Sequence, residues 1–105
     1  MLNIIILEDQ TEQAERLSQM LKKYAEAHEG FSYQLKLYDR SIPFLTEYKC
    51  DADILFMDIQ VPDMLGIEAA KRVRQMDNRV MIIFMFRLSA KGTDGVMKPG
   101  GRFAL

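Results

Sequence analysis

Apolar residues run almost unbroken through positions 2–7, 54–57 and 80–86. These runs do not alternate with polar residues, which is the pattern of strands covered on both faces of a parallel sheet. Carboxylates stop two of them abruptly: Glu8 and Asp9 follow the first, and Asp58 follows the second. Between the runs the period changes. From Thr11, read as an N-cap, Ala14, Leu17, Leu21, Tyr24 and His28 recur at helical spacing among Glu, Gln, Arg and Lys. This predicts an amphipathic helix ending near Gly30. Tyr33, Leu35 and Leu37 alternate with Gln34 and Lys36, the signature of a half-exposed and therefore edge strand. Ser41 is placed to cap a short helix bearing Phe44, Leu45 and Tyr48. Ile67, Ala70 and Val73 mark the apolar side of a further helix that carries Glu68, Lys71, Arg72 and Arg74 on its other side.

The resulting order is strand, helix, strand, helix, strand, helix, strand with short connections. It predicts an α/β fold with parallel strands, right-handed crossovers and helices on both faces of the sheet. The chain has 105 residues, the size of one domain. Its composition shifts after Phe86: residues 87–105 include Gly92, Gly95, Gly100 and Gly101 and show no helical period. The sequence thus divides into a core, 1–86, and an atypical tail, 87–105.

Charge and cysteine content narrow the functional classes. With 14 basic and 15 acidic residues the formal net charge is −1, so no global field favours nucleic acid or an anionic membrane. A single cysteine, Cys50, leaves neither an internal disulfide nor a CxxC pair and fits a reducing, cytoplasmic setting. The first apolar run is too short and wrongly flanked for a signal peptide or membrane span. His28 reads as a solvated residue at a helix end, Cys50 as a small turn residue, and most of the eight methionines as core. The cluster of Lys71, Arg72 and Arg74 reads as a solvated face.

The carboxylates are the candidate chemistry. In a doubly wound sheet, ligands gather at the carboxyl ends of the strands, where the strand order reverses. If the strands ending in Glu8-Asp9 and Asp58 are neighbours, three like charges converge and require a cation or raised pKa values. Mg²⁺ suits such an all-oxygen set, which holds no histidine or cysteine. Pro62 and Gly66 suit a sharp turn that leaves Asp58 accessible before the next helix. A carboxylate beside Mg²⁺ can attack a phosphoryl group in line and form an aspartyl phosphate.

Leu7-Glu8-Asp9, the segment Phe56-Met57-Asp58-Ile59-Gln60-Val61-Pro62-Asp63-Met64-Leu65-Gly66 and the later Lys98-Pro99 resemble the receiver domain of two-component response regulators. The wording around Asp58 and the run Ile82-Ile83-Phe84 look most like receivers of the LytTR class. The resemblance implies a flavodoxin-like, receiver-like doubly wound parallel sheet in the order 2-1-3-4-5. It implies that Glu8, Asp9, Asp58 and the backbone carbonyl of Gln60 hold Mg²⁺. Asp58 would accept phosphate from a sensor histidine kinase, and Lys98 would contact the phosphoryl group. Such a domain is a phosphoacceptor that controls a separate, commonly DNA-binding, output domain. It is not a conventional enzyme, and this chain would contact no DNA directly.

The tail departs from that pattern. Phe86 stands where the family ends its fourth strand with a Thr or Ser hydroxyl, and Gly95 where it has an aromatic residue; Ser89 is a nearby loop serine. Residues 94–99 resemble a remnant of the fifth strand, but too few residues precede them for the usual helix. The fourth and fifth helices are therefore expected to be missing or rearranged. Uncovered apolar faces and an open edge on the fourth strand would then drive association, as a homodimer or larger, around residues 80–86. Two other classes fit less well. A phosphatase of the haloacid dehalogenase type wants Asp where Gln60 stands, and a flavin-binding module wants a Gly-, Ser- and Thr-rich loop where Glu8-Asp9-Gln10 would repel phosphate. The remaining alternative is a receiver-like interaction module that no longer switches.

Overall fold

The computed structural model describes residues 1–86 and 101–104. Strands β1 (Leu2–Leu7), β2 (Tyr33–Tyr38), β3 (Ile54–Asp58) and β4 (Met81–Phe86) alternate with helices α1 (Thr11–Ala27), α2 (Ser41–Glu47) and α3 (Gly66–Met76). A last strand, β5 (Gly101–Ala104), completes a sheet of order β2-β1-β3-β4-β5. The first four strands are parallel, as the unbroken apolar runs require. Successive residues of one run serve opposite faces. Ile5, Leu7, Leu55, Met57, Ile82 and Phe84 join Phe44, Ala69, Ala70 and Val73 in one core cluster. Ile4, Ile6 and Phe56 pack with Leu17 on the other face, flanked by the partly buried Ile54, Ile83 and Met85.

The structure revises several sequence expectations. The edge of β4 is not left open along Ile83–Phe86: β5 pairs with it antiparallel, setting Ile83 opposite Ala104 and Phe86 opposite Gly101. The fifth strand is therefore not a parallel one, and residues 94–99 lie outside the described residues. So do Ser89, Gly95 and Lys98. Three helices are present among the described residues, and the fourth and fifth of the usual plan are not among them.

Neither predicted cap operates from its own side chain. Gln10 precedes α1 and Arg40 precedes α2 without a side-chain cap bond, and Thr11 and Ser41 are already the first helical residues. On α3, Ala69, Ala70 and Val73 are buried while Ile67 is half exposed, so the apolar stripe is rotated from the predicted one. Strand β2 is indeed an edge, but Leu37 turns out to solvent, 54% exposed. His28 forms the C-cap of α1, its ring stacked on Tyr24 with centroids 3.8 Å apart. Cys50 is exposed and takes a left-handed turn conformation with φ 57°. No helix among the described residues is long and apolar enough to cross a membrane.

Candidate functional site

Strand register places the acidic residues. Leu7 of β1 lies opposite Met57 of β3, so the next step along both strands brings Glu8 alongside Asp58 at the carboxyl edge. Asp9 follows as the chain leaves the sheet for α1. One carboxylate oxygen from each of Glu8, Asp9 and Asp58 lies within 4.8 Å of the others. Glu8 and Asp58 are only 5% and 2% exposed, and Asp9 Oδ1 is sealed from solvent.

Crowding like charges out of water favours their neutral forms. The Glu8 carboxyl is pushed up to about 8, chiefly by burial, then by its hydrogen bond to the Asp58 carboxyl and the charge beside it. The Gln10 amide, donating to Glu8 Oε2 at 3.1 Å, pulls the other way without prevailing. The donor set fits a hard divalent cation: every ligand atom is a carboxylate oxygen, and neither sulfur nor imidazole takes part.

The loop after β3 shapes the mouth of the site. The Ile59 amide donates to the Met85 carbonyl at 3.0 Å, and the Gln60 amide to Asp58 Oδ1 at 3.0 Å. The Gly66 amide returns to the Ile59 carbonyl at 2.6 Å, closing the loop on itself. Gly66 is required here for space: an added Cβ would lie 2.1 Å from the Asp58 carbonyl oxygen. Pro62 is exposed at the loop's outer side. On the other flank, Glu8, Asp9, Thr11, Glu15, Tyr38 and Asp39 line an open cleft of about 430 Å³.

Glu8, Asp9 and Asp58 are therefore together, with Gln60 bonded to Asp58 and Gly66 packed against its backbone. Lys98 lies outside the described residues. Sequence reasoning missed Asp63, whose carboxylate reaches across to α2, taking the Ser41 amide at 2.8 Å and the Ile42 amide at 2.7 Å. The sequence offered no signal for it, since Ser41 read as the helix's own cap; only the structure shows that start without a side-chain cap bond. Tyr48 also has an unpredicted partner, donating to Asp77 Oδ2 at 2.5 Å.

Residues 4–98 match the sequence profile of the response regulator receiver domain. No curated protein sequence matches the chain. Among solved structures, the response regulator protein TrrA from Thermotoga maritima, in complex with Mg²⁺ and beryllium fluoride, superposes with a TM-score of 0.71 at 21% identity. That match covers 90% of this chain and 77% of TrrA. A complex of CheX, CheY, beryllium fluoride and magnesium from Borrelia burgdorferi gives 0.68 at 22% identity, covering 86% and 65%. The response regulator DrrB, a Thermotoga maritima OmpR/PhoB homolog, gives 0.69 at 18% identity, covering 85% of this chain but 37% of DrrB. The chain thus spans well under two thirds of DrrB's length.

Proposed function

The chain belongs to the response regulator receiver domain family, and from that membership we propose that Asp58 is its phosphoacceptor in two-component signalling. The observation that carries this reading is the convergence of Glu8, Asp9 and Asp58 carboxylate oxygens within 4.8 Å at the carboxyl edge of β1 and β3. Glu8, Asp9, Asp58 and the backbone carbonyl of Gln60 would hold Mg²⁺. When bound, the ion supplies charge neutralisation for an incoming phosphoryl group.

The chain's own residues do the rest. The Gln60 amide, bonded to Asp58 Oδ1, fixes the carboxylate plane and directs its other oxygen as nucleophile. That oxygen attacks phosphorus in line, forming an acyl phosphate as the donor's leaving group departs. The buried flank of Glu8 keeps competing water from one side. Lys98 would contact the phosphoryl oxygens. The physiological donor is a sensor histidine kinase, and the output is a separate domain, as the larger size of DrrB supports. The proposed units remain a receiver core, 1–86, and a tail, 87–105.

The test is Mg²⁺-dependent acyl phosphate formation with a small phosphodonor such as acetyl phosphate, followed by intact mass. The parent protein gains one phosphoryl group and Asp58→Asn gains none; labelling that persists in the variant sinks the assignment.

A second reading, an interaction module that no longer switches, draws support from the antiparallel pairing of β5 on β4. The two readings part on hydrogen exchange with and without beryllofluoride. Changed protection beyond the loop favours a switch, and unchanged protection favours the inert module.

A further inference from the structure

Residues 59–65 lie between the phosphoacceptor strand and α3, and their hold on the rest of the fold is uneven. At the start, the Ile59 and Gln60 amides bond Met85 and Asp58; at the end, the Gly66 amide bonds Ile59. Val61 is buried in the core. The polar anchorage of the stretch beyond it comes from α2, an element that contributes no residue to the acidic cluster. Both Asp63 oxygens are engaged, one by the Ser41 amide at 2.8 Å and the other by the Ile42 amide at 2.7 Å. Ser41 Oγ, fully buried, returns a hydrogen bond to the Met64 carbonyl at 3.1 Å.

Three bonds thus tie two adjacent loop residues to the first turn of one helix. The ionised carboxylate is the form the contact favours, since both its oxygens accept and charge-assisted bonds to the two amides are the stronger ones. The Asp63 carboxyl accordingly lies below its ordinary value: burial opposes this, but the Ile42 and Ser41 amides outweigh it, helped by the nearby Arg40 charge. The dependence is mutual. With seven residues, α2 is too short to hold itself together, and Asp63 satisfies two amides that its own cap leaves open.

We propose that Asp63 is a positioning residue, which clamps the Gln60-bearing loop to α2 and thereby holds the metal and phosphoryl site in its binding geometry. The inference rests on the receiver reading above. It also gives a route out of the site: anything that draws Gln60 and the loop toward a bound ion pulls on the first turn of α2.

The experiment measures Mg²⁺ binding to the unphosphorylated full chain by calorimetry, in the parent protein, Asp63→Ala, Asp63→Asn and Tyr48→Phe. Loss of the clamp weakens Mg²⁺ about tenfold in Asp63→Ala, the scale of lost outer-shell support, and less in Asp63→Asn, which keeps one acceptor oxygen. Tyr48→Phe, which removes a hydrogen bond to Asp77 away from the loop, leaves the affinity unchanged although it destabilises the fold. In parallel, Mg²⁺ slows amide exchange at Ser41 and Ile42 in the parent and not in Asp63→Ala. Unchanged Mg²⁺ affinity in folded Asp63 variants overturns the clamp; if Asp63→Ala does not fold, Asp63→Asn alone decides. A parent protein that binds no Mg²⁺, or binds it equally after Asp9→Asn, overturns the metal reading and the clamp with it.

Discussion

At Gly66 the obstacle to a side chain is backbone: an added Cβ would meet the Asp58 carbonyl oxygen at 2.1 Å and Ile59 Cα at 2.8 Å. Neither can swing aside as a flexible side chain would. Gly66→Ala is therefore expected to lose about 1–3 kcal/mol of stability, read from the urea midpoint, and to slow acyl phosphate formation by displacing Asp58, the proposed phosphoacceptor. Asp77 sets a second residue-scale prediction. Its carboxyl is held below its ordinary value first by the Tyr48 hydroxyl, then by the Arg79 and Val80 amides, against the opposing effect of burial. A depressed folded pKa means that this stabilisation is present above the unfolded value, about 4, and is lost as pH falls through the lower folded one. Asp77→Asn should flatten the acid limb of a urea-midpoint series from pH 5 to pH 2; an unaltered limb would show that other carboxylates govern it.

Among the elements, β5 changes the picture most. An exposed fourth strand would present unpaired amides and carbonyls to a second molecule, and Gly101–Ala104 satisfies that edge by antiparallel pairing instead. Removing residues 101–105 should reopen it. We expect the shortened chain to shift toward dimers or larger species by light scattering at micromolar concentration, with faster amide exchange along Met81–Phe86. An unshifted mass would mean that strand pairing does not control association. Helix α2 makes the complementary point. Its first turn is capped by Asp63, 22 positions away in sequence, so its stability belongs to the site loop as much as to its own residues.

For the whole molecule, a metal held at the acidic edge would couple its binding to folding. Three carboxyl groups, two of them almost fully buried, sit together at the end of the central strands, so a cation that binds the folded state alone adds stability by mass action. Mg²⁺ at about a hundred times its dissociation constant should add about 2.7 kcal/mol, measured as a raised urea midpoint. Asp9→Asn should lose most of that increment while remaining folded. A midpoint indifferent to Mg²⁺ in the parent protein would argue against a metal at this edge.

Much of this was legible in the sequence because it rests on local pattern. Strands buried on both faces must be apolar without alternation, so β1 and β3 announced themselves, and with them the carboxylates that end each run. The wording around Asp58 identified the family. What stayed hidden depends on pairs distant along the chain. Thr11 and Ser41 look like caps because their residue type suits that place, but which side chain reaches a helix start is decided by the packing around it. Ile67 and Leu37 fit an apolar period yet face solvent, since period fixes spacing and only tertiary contact fixes which direction is inward. The antiparallel β5 was equally unreadable, because four residues carry too little pattern to declare a partner. The sequence by itself determined the sheet, its parallel core and the acidic residues at its edge. Only the tertiary structure decided that the Glu8, Asp9 and Asp58 carboxylates meet within 4.8 Å, that Asp63 ties the loop to α2 and that β5 pairs with β4, because each depends on a distance between groups that the chain's order does not specify.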